Sequence, residues 1–396
     1  MIKRMLAACA ALIAIGLSAG AIAAAERPHP GAPASGPGLD RGDSRYARVG
    51  EPLLFGFADS SAINPFPGSP TPEQLASLEV AAGSRISRIT IRWDRVEQNR
   101  PDASGTHSYD WSEYERQIEA FRAQGIGTLT AIVDAPGWAK SDSPACQSPH
   151  STCPPDLAHV KDFGLFAQAL VRRFEGRGLA GVEVWNEPNL ELLWNTRTGP
   201  DPKRYADLFA TARFAIRNAN PTLPVIVGGL TVPPFNKDAK LDMELDDFLN
   251  EFYDAVPRNA LDPAVGVAFH AYPGYNVGDT GGNNLFKEAL RKTVTTTKRR
   301  DPGRALWATE LGQSTTDPRG EEPPSERRQA QTIVRMIEKV DAQPRAVAAL
   351  IYTVVERPPG NGQTGFGVVG RGPQFEPKRA YCRIAKERRM PKPAAC

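Results

Sequence analysis

The chain has little charge imbalance and few histidines and cysteines. Its 396 residues include 48 Lys and Arg against 45 Asp and Glu, a formal net charge of +3, with no basic or acidic run. Capture of nucleic acid or of an anionic membrane is therefore not expected. Hydrophobic residues make up 41% and charged residues 23%, as in an ordinary folded protein. The five histidines are His29, His107, His150, His159 and His270. No two of them form a His-x-His pair, and we expect neither a metal nor a cofactor.

Long apolar runs are absent except at the N-terminus. Lys3 and Arg4 precede an uncharged run from Met5 to Ala25, which ends in three alanines. This pattern predicts a secretory signal peptide over residues 1–25, cleaved after Ala25, and the alternative is an uncleaved anchor helix. Residues 26–50 are rich in Pro and Gly and predict a flexible leader. The mature chain is then secreted or periplasmic, without a membrane span.

Only five cysteines occur, and one of them lies in the predicted signal peptide. The other four allow three disulfide pairings, of which the local one joins Cys146 to Cys153 and Cys382 to Cys396. The alternative is a metal site formed by Cys146, His150 and Cys153, although no Cys-x-x-Cys spacing supports it.

Eight short apolar, β-branched runs alternate with stretches of helical periodicity. Continuous apolar strands that are each followed by a helix predict a parallel sheet buried on both faces, and eight units predict one (β/α)₈ TIM barrel of the α/β class over residues 51–390. An open doubly wound sheet is the alternative, but the turn after the first run lacks the glycines that bind phosphates. The predicted strands are Leu53–Phe57, Ile86–Arg92, Gly127–Val133, Gly181–Trp185, Val225–Gly229, Val265–His270, Ala305–Thr309 and Val347–Val354.

Polar side chains are concentrated where the predicted strands end. Reactive groups of a TIM barrel come from the carboxyl ends of its strands, so these residues are expected to face one cavity. They are Arg92 at the end of the second strand, Asn186 and Glu187 after the fourth, His270 at the end of the sixth and Tyr272 after it, and Glu310 after the seventh.

Two carboxylates on opposite sides of a barrel mouth suit glycoside hydrolysis. One carboxylic acid protonates the leaving oxygen, while the other carboxylate attacks or activates water from the opposite face. Arg92 is expected to keep Glu310 ionised and oriented, with His270 or Tyr272 as hydrogen-bond donors. Asn186 is expected to donate to a sugar 2-hydroxyl. Taken singly, each Glu could instead be a solvated charge and His270 a core histidine.

Tryptophans supply the second part of the predicted site. Trp138 and Trp194 lie in loops after the third and fourth strands, where an aromatic face can stack on a sugar ring, and we expect both to bind substrate. Trp185 and Trp307 lie inside strands, and we expect these two to pack in the core.

The segments Trp185-Asn186-Glu187-Pro188-Asn189 and Ala308-Thr309-Glu310-Leu311-Gly312 resemble the retaining glycoside hydrolases of the 4/7 barrel clan. The similarity is greatest to families 39 and 5 and covers Leu53 to about Ala385. This resemblance implies that Glu187 is the general acid/base and Glu310 the nucleophile. It also implies that Arg92, Asn186, His270 and Tyr272 contact the substrate, an oligo- or polysaccharide.

Two departures from that resemblance affect the expected substrate. Many relatives have a Trp platform at the end of the eighth strand, where this chain has Tyr352, so Tyr352 or Phe366 is the expected substitute. No added β-sandwich is expected, which favours a bacterial exopolysaccharide or another β-linked glycan such as a plant cell-wall polysaccharide. A carbohydrate-binding barrel without turnover is the main alternative, and a metal-dependent barrel hydrolase is a third. Sugar, linkage and oligomeric state stay open.

Overall fold

The computed structural model describes residues 48–141, 146, 152–233, 241–273, 285–316, 323–360, 363–393 and 396. The predicted signal peptide, most of the predicted leader and His150 lie outside the described residues.

Eight parallel strands close into a barrel in chain order, with β8 paired to β1. This confirms the predicted (β/α)₈ fold, since predominantly apolar segments rich in β-branched residues become the buried strands of a parallel sheet. The strands are β1 Leu54–Ala58, β2 Ile86–Arg92, β3 Gly127–Val133, β4 Leu179–Asn186, β5 Val225–Leu230, β6 Val265–Ala271, β7 Ala305–Leu311 and β8 Ala346–Ile351.

Helices connect the strands, and several begin at the capping residues that the sequence supplies. Thr71 and Gln74 form a capping box at α1, and Asp201 and Ser325 cap α5 and α8 with their side-chain oxygens. The helices are α1 Pro72–Ala81, α2 Trp93–Val96, α3 Ser112–Ala123, α4 Val160–Phe174, α5 Pro202–Ala219, α6 Leu245–Ala255, α7 Leu285–Arg300, α8 Glu326–Asp341 and α9 Arg379–Glu387, with short 3₁₀ turns at Leu157–His159 and Arg258–Ala260.

Apolar side chains form two layers. A large layer between the strands and the helices includes Phe163, Trp185 and Trp194, while a smaller cluster fills the barrel interior with residues such as Leu129 and Trp307. Side chains fill the interior of such a barrel, and its cavity is expected at the carboxyl ends of the strands. Trp185 and Trp307 are buried, as predicted.

Two disulfides join Cys146 to Cys153 and Cys382 to Cys396, with Cα–Cα distances of 5.8 Å and 5.5 Å. Both distances are normal for a disulfide. The local pairing is therefore confirmed, and the alternative metal site is wrong because Cys146 and Cys153 bond to each other. No helix within the described ranges is both long and apolar enough to cross a membrane.

Candidate active site

A cavity of about 630 Å³ opens at the carboxyl ends of the strands. It brings together six of the polar residues predicted from the sequence, and strands β2, β4, β6 and β7 supply most of them. The predicted residues that line it are Arg92, Asn186, Glu187, His270, Tyr272 and Glu310.

Glu310, at the end of β7, is held by two strong donors. Arg88 Nη1 donates to its Oε1 at 2.6 Å, and the Tyr272 hydroxyl donates to its Oε2 at 2.6 Å. Burial alone would raise the pKa of Glu310, but the charges of His270 and Arg88 and both hydrogen bonds outweigh it and hold this pKa below its usual value. Glu310 is thus kept ionised and fixed in orientation.

Glu187 faces Glu310 from β4 in a different environment. Among described side chains, one makes a hydrogen bond to its carboxylate: His270, whose Nδ1 lies 2.7 Å from Glu187 Oε1. One carboxylate oxygen of Glu187 lies within 4.8 Å of one of Glu310. The two carboxyl groups therefore flank one space, and neither is fully buried, with 15% and 14% of their side-chain surfaces exposed.

His270 lies between the two glutamates. Its Nδ1 is 2.7 Å from Glu187 and 3.6 Å from Glu310 Oε2. Burial lowers the pKa of His270, but the Glu310 charge, together with the charge and hydrogen bond of Glu187, raises it overall. The ring fits because residue 229 is glycine, since a Cβ there would lie 2.1 Å from His270 Nε2.

Below this layer, a fully buried carboxylate holds Arg88. Glu183 accepts from Arg88 Nε at 2.6 Å and from Nη2 at 3.3 Å, and it also accepts from the Gly229 N–H at 2.7 Å. Arg88 Nη2 donates in addition to Asn186 Oδ1 at 2.7 Å. Its pKa is raised even though burial opposes the charge, because Glu183 and Glu310 both lie against it. Arg88 is therefore a permanent cation that links β2, β4 and β7.

The prediction that Arg92 orients Glu310 is wrong. Arg92 lines the cavity, but its guanidinium pairs with Asp94 at 2.8 Å and Asp134 at 2.7 Å. Arg88 and Arg92 point to the same face of β2, since side chains alternate with a period of two. Four residues along a strand amount to about 13 Å, so only Arg88 reaches the depth of Glu310.

Neither predicted tryptophan is among the described residues that line this cavity. The substrate-binding prediction is wrong for Trp194, and the one for Trp138 stays a prediction. Trp194 is fully buried and packs against Trp185 and Tyr205. Trp138 is half-buried and packs edge-on against Trp93 and His159. Loop tryptophans pack inward here because the space between the loops and helices is itself an apolar, aromatic layer.

Aromatic side chains nevertheless line one wall. Tyr272, Tyr352 and Phe366 contact one another edge to face, with ring centroids 5.5 to 6.5 Å apart. Both expected substitutes for a Trp platform therefore lie in the cavity. Gly312 makes this possible, because a Cβ there would approach the Tyr352 carbonyl oxygen at 2.6 Å.

Arg88 and Glu183 were missed by the sequence analysis because both lie inside strands rather than at their ends. A charged residue in an otherwise apolar run was the available signal, since it must be paired when buried. Asn186 and Glu187 reach the cavity because φ is positive at Trp185 (76°) and Glu187 (44°), which interrupts the alternation of side chains in β4.

Glu187, His270 and Glu310 also bring three metal-ligating atoms within 4.8 Å of one another. Two carboxylates and an imidazole are a possible donor set for a divalent cation. Here the guanidinium of Arg88 already contacts Glu310 as a fixed positive charge, so the group is organised by internal hydrogen bonds and ion pairs.

Comparison with known proteins identifies the family. The family model described as cellulase (glycosyl hydrolase family 5) matches residues 49–345. The chain belongs to glycosyl hydrolase family 5. It is a glycoside hydrolase, its substrate is a saccharide, and the resemblance to the families of this clan is confirmed. No curated protein matches the sequence.

Solved structures share the fold of this family 5 chain at low sequence identity. A family 39 glycoside hydrolase from Bacteroides cellulosilyticus WH2 has a TM-score of 0.58 and 18% identity, covering 85% of this chain and 63% of its own. This chain thus spans less than two thirds of that protein. A family 39 β-xylosidase from Caulobacter crescentus has a TM-score of 0.59 and 20% identity, covering 86% of this chain and 71% of its own. A variant of an endo-β-1,4-glucanase from Xanthomonas axonopodis pv. citri has a TM-score of 0.55 and 13% identity, covering 85% of this chain and 99% of its own.

Proposed function

We propose that the protein is a secreted retaining β-glycosidase that works by double displacement, with Glu310 as nucleophile and Glu187 as general acid/base. The unequal environments of the two glutamates carry the proposal. Glu310 is held ionised by Arg88 and Tyr272, while Glu187 shares a hydrogen bond with one described side chain, that of His270. Double displacement needs this difference, since one group must be a carboxylate when the other still has its proton.

The carboxyl separation supports retention of configuration. Retaining enzymes place the two groups about 5 to 5.5 Å apart, whereas inverting enzymes leave about 6.5 to 9.5 Å for a water molecule. The oxygens of Glu187 and Glu310 within 4.8 Å fit the first arrangement.

In the first step, a Glu310 oxygen attacks the anomeric carbon and the glycosidic C–O bond breaks. Glu187 gives its proton to the leaving oxygen, so the first product departs as an alcohol and a glycosyl ester of Glu310 remains. In the second step, the Glu187 carboxylate takes a proton from water. That water attacks the anomeric carbon and releases Glu310 as a carboxylate.

Neighbouring groups hold the sugar. Asn186, the residue directly before Glu187, lines the cavity, and its amide is suited to a sugar hydroxyl. Tyr352 and Phe366 offer apolar faces on which the sugar ring can pack. Arg92, which is paired to Asp94 and Asp134, is proposed to contact substrate farther out in the cavity rather than at the reacting carbon.

Secretion is supported by the N-terminal pattern and by the disulfides. Residues 1–25 have the features of a cleavable signal, and disulfides persist in oxidising compartments. The remaining chain is proposed to comprise a leader over residues 26–50 and the catalytic barrel over 51–390. N-terminal sequencing of protein recovered outside the cytoplasm should begin at Glu26, and recovery of the intact Met1 form would contradict cleavage.

The substrate is proposed to be a β-linked glycan from a bacterial exopolysaccharide or a plant cell wall. Solved structures of the same fold include a β-xylosidase and an endo-β-1,4-glucanase. A panel of aryl β-glycosides and polysaccharides tests this for the wild type, Glu187→Ala and Glu310→Ala. Both variants should lose activity. Azide should restore turnover in Glu310→Ala with release of the glycosyl azide of opposite anomeric configuration, because the small anion enters the space left by the carboxylate. Full activity in Glu310→Ala without azide would refute the assignment.

A further inference from the structure

Three arginines line the catalytic cavity, and they differ in how far their donors are already used. Arg88 is saturated by Glu183, Asn186 and Glu310, and Arg92 pairs with two aspartates. Arg357, six residues after β8, is different. Its closest carboxylate is Asp59, at 3.6 Å from Nη2, and its buried Nε has no hydrogen-bond partner in the described part of the chain.

Asp59 offers Arg357 charge but no hydrogen bond. Its Oδ1 accepts from the Ser61 N–H at 2.6 Å, and its Oδ2 accepts from the Val354 and Val355 N–H groups at 3.0 Å each. The carboxylate is therefore committed to backbone donors that join β1 to the end of β8. It lowers the cost of burying a cation nearby without occupying the guanidinium fork.

The guanidinium of Arg357 is fixed in position. Arg357 is only 8% exposed, and its guanidinium carbon lies 5.1 Å from the centre of the Phe66 ring. It also lines the cavity beside Tyr352, the residue proposed to support the sugar ring. Part of this guanidinium is used by Tyr352, whose pKa is raised by burial and lowered by a hydrogen bond from the Arg357 side chain. The remaining donors of this rigid guanidinium, beside a sugar platform, match a planar anion in two-point geometry.

We propose that Arg357 binds the carboxylate of a uronic acid residue, so that the enzyme acts on an acidic β-glycan. This inference rests on the proposed glycosidase function and extends it to a substrate class. A neutral sugar hydroxyl at this position would use at most part of the guanidinium fork, whereas a carboxylate accepts two parallel N–H bonds.

The test compares polymers that differ only at C6. Uronic acid polysaccharides of several β-linkages are each assayed beside the same polymer after its carboxyl groups are reduced to hydroxymethyl groups. For at least one pair, the wild type should have the higher kcat/KM on the acidic form. Arg357→Met should lower kcat/KM on that form by about 10- to 150-fold, the range expected for a hydrogen bond to a charged group, and leave the reduced form nearly unchanged. Arg357→Lys should be intermediate, because it keeps the charge and loses the fork.

Controls distinguish the loss of carboxylate binding from a loss of protein stability, and the failure of this proposal from the failure of the proposed function. Arg335→Met removes one exposed arginine from α8 and should change neither rate. Binding of methyl β-D-glucuronide and methyl β-D-glucoside to the same variants is measured by calorimetry, which needs no turnover. If no polymer is hydrolysed, the proposed function fails, yet tighter binding of the glucuronide that is lost in Arg357→Met still supports the uronate site. Equal wild-type rates or affinities for acidic and neutral forms, or equal losses on both in Arg357→Met, would overturn it.

Discussion

Replacing Glu183 by Gln tests what the buried ion pair of Arg88 and Glu183 contributes, while the catalytic glutamates themselves stay unchanged. The substitution keeps the size of the side chain and an oxygen that can accept from the Gly229 N–H. It removes the negative charge against Arg88 and directs an amide N–H₂ group or a neutral oxygen at Nε. Arg88 would then be a cation only 3% exposed, with Glu310 as its remaining close carboxylate.

The size of the expected loss in unfolding free energy follows from the burial of Arg88. Removing one partner of a buried ion pair costs about 3 to 5 kcal/mol when the other charge is left uncompensated, and about 3 kcal/mol is expected here because Glu310 still pairs with Arg88. The free energy of unfolding of Glu183→Gln should fall by about that amount in urea titrations. We also expect kcat/KM to fall at least tenfold, in line with an active-site cation displaced from its working position by about 1 Å.

Glu79→Gln is the matched control. Glu79 is also fully buried, but it accepts from the hydroxyls of Ser84 and Ser87, and no arginine pairs with it among the described residues. Its substitution should leave kcat/KM unchanged and should not lower the free energy of unfolding at pH 7. If Glu183→Gln behaved like this control, the reasoning about Arg88 would be refuted.

Four further outcomes are expected. Burial raises the pKa of Glu79 above its unfolded-state value, so stability should fall as pH rises from about 4.3 through the folded-state pKa; Glu79→Gln should flatten this loss in unfolding titrations. Tyr272→Phe removes a donor that lowers the pKa of Glu310, so kcat/KM should drop about 10- to 150-fold and the acidic limb of its pH profile should move upward. Trp194→Ala should cost about 3 to 5 kcal/mol of stability with KM unchanged, and a raised KM would restore the stacking interpretation. Replacing Cys382 and Cys396 by Ser opens a loop with a sequence separation of 14 and should cost about 3 kcal/mol, measured by thermal unfolding.

The sequence predicts the barrel well because its strands are buried on both faces. The runs Ile86–Arg92 and Gly127–Val133 coincide with β2 and β3. Strand β8 is less well predicted: it ends at Ile351, whereas the apolar run continues to Val354. The last residues of that run leave the ladder because the Val354 N–H binds Asp59 instead.

The sequence predicts site residues well at the ends of strands. It predicts poorly how deep in the barrel a side chain inside a strand lies. A period of two tells which face a side chain occupies, so Arg88 and Arg92 are equivalent in pattern. Which of them reaches Glu310 depends on how the tilted strands are staggered, and the sequence of β2 alone does not contain that information. The prediction for Trp194 fails for another reason: its loop position predicts exposure, but Trp185 of β4 and Tyr205 of α5 pack against it and it is completely buried.

The proposed chemistry moves one negative charge between two fixed places. Before the reaction Glu310 is ionised and Glu187 has its proton; in the glycosyl-enzyme Glu310 is a neutral ester and Glu187 is ionised. The total charge of the site is the same in both states, because the proton that Glu187 gives away offsets the charge that Glu310 loses. His270 Nδ1 lies 2.7 Å from one carboxylate and 3.6 Å from the other, so a single Nδ1–H donor is near the charge at either place without moving. The buried pair of Arg88 and Glu183 keeps that geometry rigid, which is where preorganised electrostatics contributes most to rate.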